Sequence, residues 1–234
     1  TTIPVLTNSS TGSGIIPHLA VANGWKTTFV LVNTGNSPSQ AHLKFFDDAG
    51  NPLALPLSFP QTGEGATDAA TTLDRTVSAK STLLVESTGP VSSPLLTGSA
   101  QFIGEGSVTG FVIYRYLPNG QEAVVPLENR TANAFILAFD NTAGIVTGVA
   151  VSNALAQPVT VPVVIRDEAG AQVGNGSITL PANGHASFNL SERFAVAANM
   201  RGTVEFGTTS GNIGVVGIRT PPRLTFTTLP ALAK

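Results

Sequence analysis

Residues 24–33 read Gly-Trp-Lys-Thr-Thr-Phe-Val-Leu-Val-Asn, and 120 positions later residues 144–153 read Gly-Ile-Val-Thr-Gly-Val-Ala-Val-Ser-Asn. Each run is followed by a proline, Pro38 or Pro158, and then by a turn of two acids, Ala and Gly: Asp47-Asp48-Ala49-Gly50 and Asp167-Glu168-Ala169-Gly170. Further on, Gly98, Phe102, Arg115 and Pro126 return as Gly202, Phe206, Arg219 and Pro230, now at an offset of 104. A pattern of roughly 110 residues written twice is long enough for each copy to own a core. The sequence therefore predicts two domains related by internal duplication, one over 15–127 and one over 133–234. Residues 128–132 form the junction, and 1–14 form an arm that belongs to neither copy. The change of offset gives the first copy 16 extra residues, which the reading places in the polar segment 61–75 as a dispensable excursion.

The local pattern is that of strands. Residues 27–32 are β-branched and aromatic without a helical period, as in a strand buried on both faces. Residues 41–45 alternate, sending Leu43 and Phe45 inward and His42 and Lys44 outward, and residues 159–165 send Val161, Val163 and Ile165 inward. Pro162 has no N–H for a ladder, so its strand is expected at an edge, or with that position turned to solvent. Gly50 and Gly170 supply the positive φ of hairpin turns. Further strands are expected at 82–85, 98–103, 110–116, 186–189, 202–206 and 213–220, and Ser191 is expected to cap one helical turn. Strand signals every 8 to 12 residues, broken by Gly, Pro and Asn, argue for antiparallel sandwiches. The predicted fold class is all-β, as two tandem antiparallel β-sandwich domains.

Only 11% of residues are charged, less than half the usual share of about 25%, so the polar surface is built from Thr, Ser, Asn and Gln. A net charge of −2 offers no basic field for nucleic acid. The absence of cysteine excludes disulfides, thiolate metal sites and cysteine nucleophiles. No apolar run reaches the 18 or so residues of a spanning helix, so no membrane span is expected. Thr1 reads as the terminus left by processing of a secretory signal.

Four segments carry a resemblance: residues 16–33 (Ile-Pro-His-Leu-Ala through Gly-Trp-Lys-Thr-Thr-Phe-Val-Leu-Val-Asn), residues 139–150, residues 180–185 (Leu-Pro-Ala-Asn-Gly-His) and residues 201–206 (Arg-Gly-Thr-Val-Glu-Phe). Together they resemble a tandem β-sandwich module of secreted and surface proteins of environmental bacteria, Acidobacteria among them. The resemblance implies an extracellular immunoglobulin-like pair with no established chemistry.

No catalytic or metal constellation is legible. His18, His42 and His185 lack a second ligand at the spacing of a metal-binding run. Gly12-Ser13-Gly14 lacks the strand-to-helix setting of a nucleophile elbow. Glu64, Asp68, Glu105, Glu122 and Glu128 are scattered over loops rather than paired across a cleft. Asp47, Asp48 and Asn51 cluster oxygens, yet the segment reads as a turn rather than a calcium loop. Arg115 and Arg219 read as braces for carbonyls or a carboxylate. No catalytic residue, metal ligand or cofactor is expected.

These features point to a non-enzymatic structural or adhesive protein, secreted or on the cell surface, that self-associates as a homopolymer or meets a surface partner. Its candidate intersubunit strand is Ile3, Pro4, Val5 and Leu6, which would add to a neighbour's sheet edge and build a filament. The alternative is a carbohydrate-binding module, with Trp25, Tyr114 and Tyr116 as the contacts to a polysaccharide.

Overall fold

The computed structural model describes residues 12–63, 65, 69–130, 132–208, 212–222 and 225–234. The proposed arm strand of Ile3, Pro4, Val5 and Leu6 lies outside the described residues. The described chain is all-β, in four antiparallel sheets.

Eight strands make the first half: β1 (Ser13–Val21), β2 (Trp25–Asn33), β3 (Ser39–Asp47), β4 (Thr72–Val77), β5 (Thr82–Thr88), β6 (Leu96–Gly104), β7 (Val108–Tyr116) and β8 (Gln121–Pro126). They pair in the orders β1-β6-β3-β4 and β5-β2-β7-β8. The second half holds β9 (Ala134–Asp140), β10 (Val146–Asn153), β11 (Val159–Asp167), β12 (Gln172–Leu180), β13 (His185–Asn189), the short helix α1 (Leu190–Arg193), β14 (Arg201–Gly207), β15 (Ile213–Thr220), β16 (Thr227–Pro230) and β17 (Leu232–Ala233). Its sheets are β12-β11-β14-β9-β17 and β13-β10-β15-β16. The two halves thus follow one pairing order, and even the exit is shared. Past β8 the chain crosses over so that Glu128 bridges Ile15, as Leu232 pairs with Ile136 in the second half.

Alternation along the strands fills two cores. Phe29, Leu43, Phe45 and Phe102 are fully buried in the first, and Phe135, Leu137, Ile165 and Phe206 in the second. Gly98 and Gly202, a repeated pair in the sequence, face Asp47 and Asp167 across the ladder. A Cβ at either would overlap a carbonyl oxygen of the neighbouring strand, that of Phe46 or Arg166. Close backbone approach therefore requires glycine at both.

Two expectations need correction. Residues 72–75 belong to β4, not to an excursion: Leu73 is buried and pairs with Leu43. The extra length of the first copy runs instead between Pro52, which bridges Phe46, and Ala70, which bridges Leu55. It contributes Leu55, Leu57 and Phe59 to the core, because an alternating apolar run finds the open side of the sandwich. Leu73→Ala is accordingly expected to cost about 3 kcal/mol in urea unfolding; an unchanged midpoint would restore the excursion. Second, α1 starts at Leu190 with Asn189 at the cap position, two residues earlier than Ser191 implied. Pro162 meets the second of the two expectations for it: β11 is interior, but that position turns to solvent, and the pairing with β14 begins only at Val163. None of the described helices is long and apolar enough to cross a membrane.

Candidate functional site

The halves meet along β1, which packs against β10 and β15. Within β1 the register on β6 jumps from Ile16↔Ala100 to Leu19↔Gly98, so Pro17 and His18 together oppose one residue. Pro17 has no N–H to give the ladder, which suits it to the extra position of a bulge. A bulge re-aims the side chain beside it, and here His18 reaches out to the second half. The corresponding strand β9 pairs with β14 without a shift. Tyr114 fixes the bulge from behind, its buried hydroxyl donating to the His18 carbonyl.

His18 joins a chain of polar groups that crosses the interface. Its Nδ1 lies 3.0 Å from Nε2 of His185, and Nδ1 of His185 lies 2.8 Å from Oδ1 of Asp48. His185 opens β13, and its backbone N–H donates to the Asp48 carbonyl at 3.2 Å. Asp48 sits in the turn after β3 and also accepts from the Thr97 hydroxyl at 3.1 Å. That turn is pressed against residues 181–184, for a Cβ on Gly50 would overlap the Ala182 carbonyl oxygen. Gln101 adds a bond across the same seam, to Asn183 Oδ1 at 2.9 Å.

Charge and burial act on both ends of this chain. The hydrogen bond from His185 holds the Asp48 carboxyl below its usual range, so it is an ionised acceptor. Burial, and then the neighbouring His185, lower His18 from 6.5 to about 3, against a smaller opposing pull from Asp48. His18 is therefore neutral at physiological pH. Asp48 accepts at its end of the chain, and at the other end Nδ1 of His18 is shared with Nε2 of His185.

His18 lines a cavity of about 710 Å³ between the halves, within the 300–1,000 Å³ common for small-molecule sites. Aromatic rings form one wall. Trp25 follows the Asn23-Gly24 turn, where both residues have positive φ, and its ring lies 5.0 Å from Tyr116 and 5.3 Å from Phe226. Val149, Ala150, Val216 and Ile218 supply aliphatic surface, while Asn119, Asn189 and Glu192 bring polar groups. Among the described residues, no Lys or Arg lines the cavity.

The structure thus brings Trp25, Tyr114 and Tyr116 together. Trp25 and Tyr116 are half-buried with ring surface toward the cavity; Tyr114 is buried and serves as wall and brace. Sequence reasoning missed His18, His185 and Asp48 as a group, since 167 and 137 residues separate the bonded pairs, and it missed Phe226. The only local hint was a proline beside a histidine inside a strand. Other candidates stand apart. His42 pairs with Asp74 on an outer face, Arg115 braces Glu122 at 3.5 Å and Arg219 braces Asp140 at 3.6 Å. Glu64 and Asp68 lie outside the described residues. Among the described residues, no three imidazoles or carboxylates stand where they could share a metal ion. No protein-family model matches this chain, and no curated protein matches it.

Proposed function

We propose that the chain is a non-enzymatic adhesive protein of the cell exterior, secreted or surface-held, that recognises a carbohydrate in the cleft between two duplicated immunoglobulin-like sandwiches. The observation that carries the reading is the cleft itself: a ligand-sized cavity with Trp25 and Tyr116 on its wall, polar Asn119, Asn189 and Glu192 around it, and no cationic side chain among the described residues. Sugars present an apolar C–H face that stacks on aromatic rings and hydroxyls that meet amides and carboxylates. The lack of Lys and Arg among the described wall residues disfavours phosphates and other anions. Duplication is supported by the matching pairing orders and by the shared glycines at 98 and 202. An exterior location is supported by the low charge.

Trp25→Ala and Tyr116→Ala should each weaken retention on the bound polysaccharide by tenfold or more, since stacked aromatics dominate such contacts by about 1–3 kcal/mol. A polysaccharide panel in pull-down, run beside sedimentation at high concentration, makes the check. Retention unaffected by either substitution would reject the cleft. Ordered polymers without retention would return the chain to a filament subunit.

A further inference from the structure

We propose that Glu192 makes the cleft selective for an amino sugar, its carboxylate and the amide oxygen of Asn189 together holding a protonated amine. The inference rests on the carbohydrate reading and deepens it, because it names the charge of the ligand and the two side chains that read it.

The period of the strands keeps cations off the wall. Trp25, Tyr114, Tyr116, Ile218 and Thr220 line the cleft. The residues beside or between them, Lys26, Arg115 and Arg219, point to the other faces of β2, β7 and β15. Each is paired there with a carboxylate: Lys26 with Glu86 at 2.7 Å, Arg115 with Glu122 at 3.5 Å and Arg219 with Asp140 at 3.6 Å. Arg193 follows Glu192 in α1 but does not line the cavity, and His18 is neutral. Glu192 is thus the one charged side chain on the described wall. Among the described residues it pairs with no cation.

Two amides on the wall have their direction fixed by partners that can play only one role. Nδ2 of Asn189 donates to Oε1 of Glu192 at 3.0 Å; a carboxylate only accepts, so Asn189 keeps its carbonyl oxygen for a ligand. Oε2 of Glu192 is the second acceptor beside it. In the first half the order is reversed. The backbone N–H of Gln121 donates to Oδ1 of Asn119 at 3.1 Å, which leaves Asn119 its Nδ2 to offer. An ammonium group has three protons to donate and no acceptor, so it can satisfy both acceptors of the second half at once. A hydroxyl in its place supplies one proton, an N-acetyl group loses the charge and brings a carbonyl, and a carboxylate is repelled. The sugar ring meets Trp25 and Tyr116 whichever group is present, so the aromatic wall sets affinity and Glu192 sets the choice.

The test compares four disaccharides that share one ring geometry and linkage: cellobiose, the free-amine and N-acetylated forms of chitobiose, and cellobiuronic acid. Titrations at pH 6, where a sugar amine is protonated, follow the fluorescence of Trp25, the chain's one tryptophan. The free-amine dimer should bind about fivefold more tightly than cellobiose, the upper range for one solvent-facing ion pair, and cellobiuronic acid should bind most weakly. Added salt should narrow the gap between the amine and cellobiose, since it screens the pair and leaves the stacking untouched. Glu192 is exposed, so its substitution leaves the fold in place. Glu192→Gln should bring the amine down to the affinity of cellobiose without changing cellobiose itself, and Glu192→Lys should turn the preference to cellobiuronic acid. Equal binding of the amine and cellobiose by the unaltered protein, or a preference that survives Glu192→Gln, overturns the inference while leaving the carbohydrate cleft in place. A panel in which none of the four changes the fluorescence rejects the carbohydrate reading, and the inference with it.

Discussion

Gly50→Ala is expected to pull the two halves apart, whereas Gly170→Ala should only weaken a turn. The two glycines occupy the same turn in each half, with N–H groups donating to Asp47 and Asp167 at 3.0 and 3.1 Å and both with φ of +83°. An alanine in that left-handed conformation costs about 1–2 kcal/mol at either place. Beyond that the surroundings differ. Nothing lies within 4 Å of a Cβ on Gly170, while one on Gly50 would overlap the carbonyl oxygen of Ala182 in the second half. Backbone cannot swing aside as a flexible side chain does, so the 47–50 turn or the 181–184 turn must move. Asp48 is two residues away, and its bonds to the backbone and ring of His185 lie within that seam. The expected difference between the two variants is about 2–3 kcal/mol, in the range of overpacking in a close-fitted interior. Urea unfolding followed by the fluorescence of Trp25, the chain's one tryptophan, reads it well, since that ring packs against Phe226 of the second half. Equal midpoints for the two variants would mean that the turn does not bear on its neighbour.

Stability should fall on mild acidification, and His18 should be the cause. Its folded-state value is about 3 against 6.5 for the free imidazole, so between those limits the unfolded chain holds the extra proton. Stability then rises with pH through this window, by up to about 1.4 kcal/mol per unit, and levels off above it. The sign is that of a buried neutral base, full at pH 7 and eroded as the unfolded chain takes up protons. Asp48, lowered from its usual range, acts in the same direction but only at more acid pH, where carboxylates titrate. The window from pH 6.5 to 5 therefore isolates the imidazole. His18→Phe should be less stable at pH 7, because the Nε2 of buried His185 loses its hydrogen-bond partner, yet its stability should be flatter between pH 6.5 and 5. Urea midpoints across that range in both proteins supply the measurement. A wild-type curve already flat there would show that His18 keeps its ordinary affinity for the proton.

Much of the architecture was legible because strand pairing leaves a local record. Leu43 and Phe45, or Val161, Val163 and Ile165, alternate with polar neighbours at the period of the pleat, and each is buried where the alternation put it. The repeat offsets of 120 and 104 coincide with strands that pair in one order in both halves. What failed was the reading of polarity as looseness: residues 72–75 look soluble, but Leu73 among them takes its place opposite Leu43.

The sequence by itself determined the all-β character, most of the strand positions and the glycine turns, because each rests on propensity, period or spacing within a short stretch. Only the tertiary structure decided the cleft and the Asp48–His185–His18 chain. Those groups come from three elements in two halves, and nothing in the spacing of 137 or 167 residues predicts a 2.8 or 3.0 Å bond. The bulge at Pro17 and His18, and the docking of the Gly50 turn on Ala182, exist only once the two sandwiches are packed together. A hydrogen bond depends on distance and direction in space, and a chain specifies these for remote residues only through the whole of its packing.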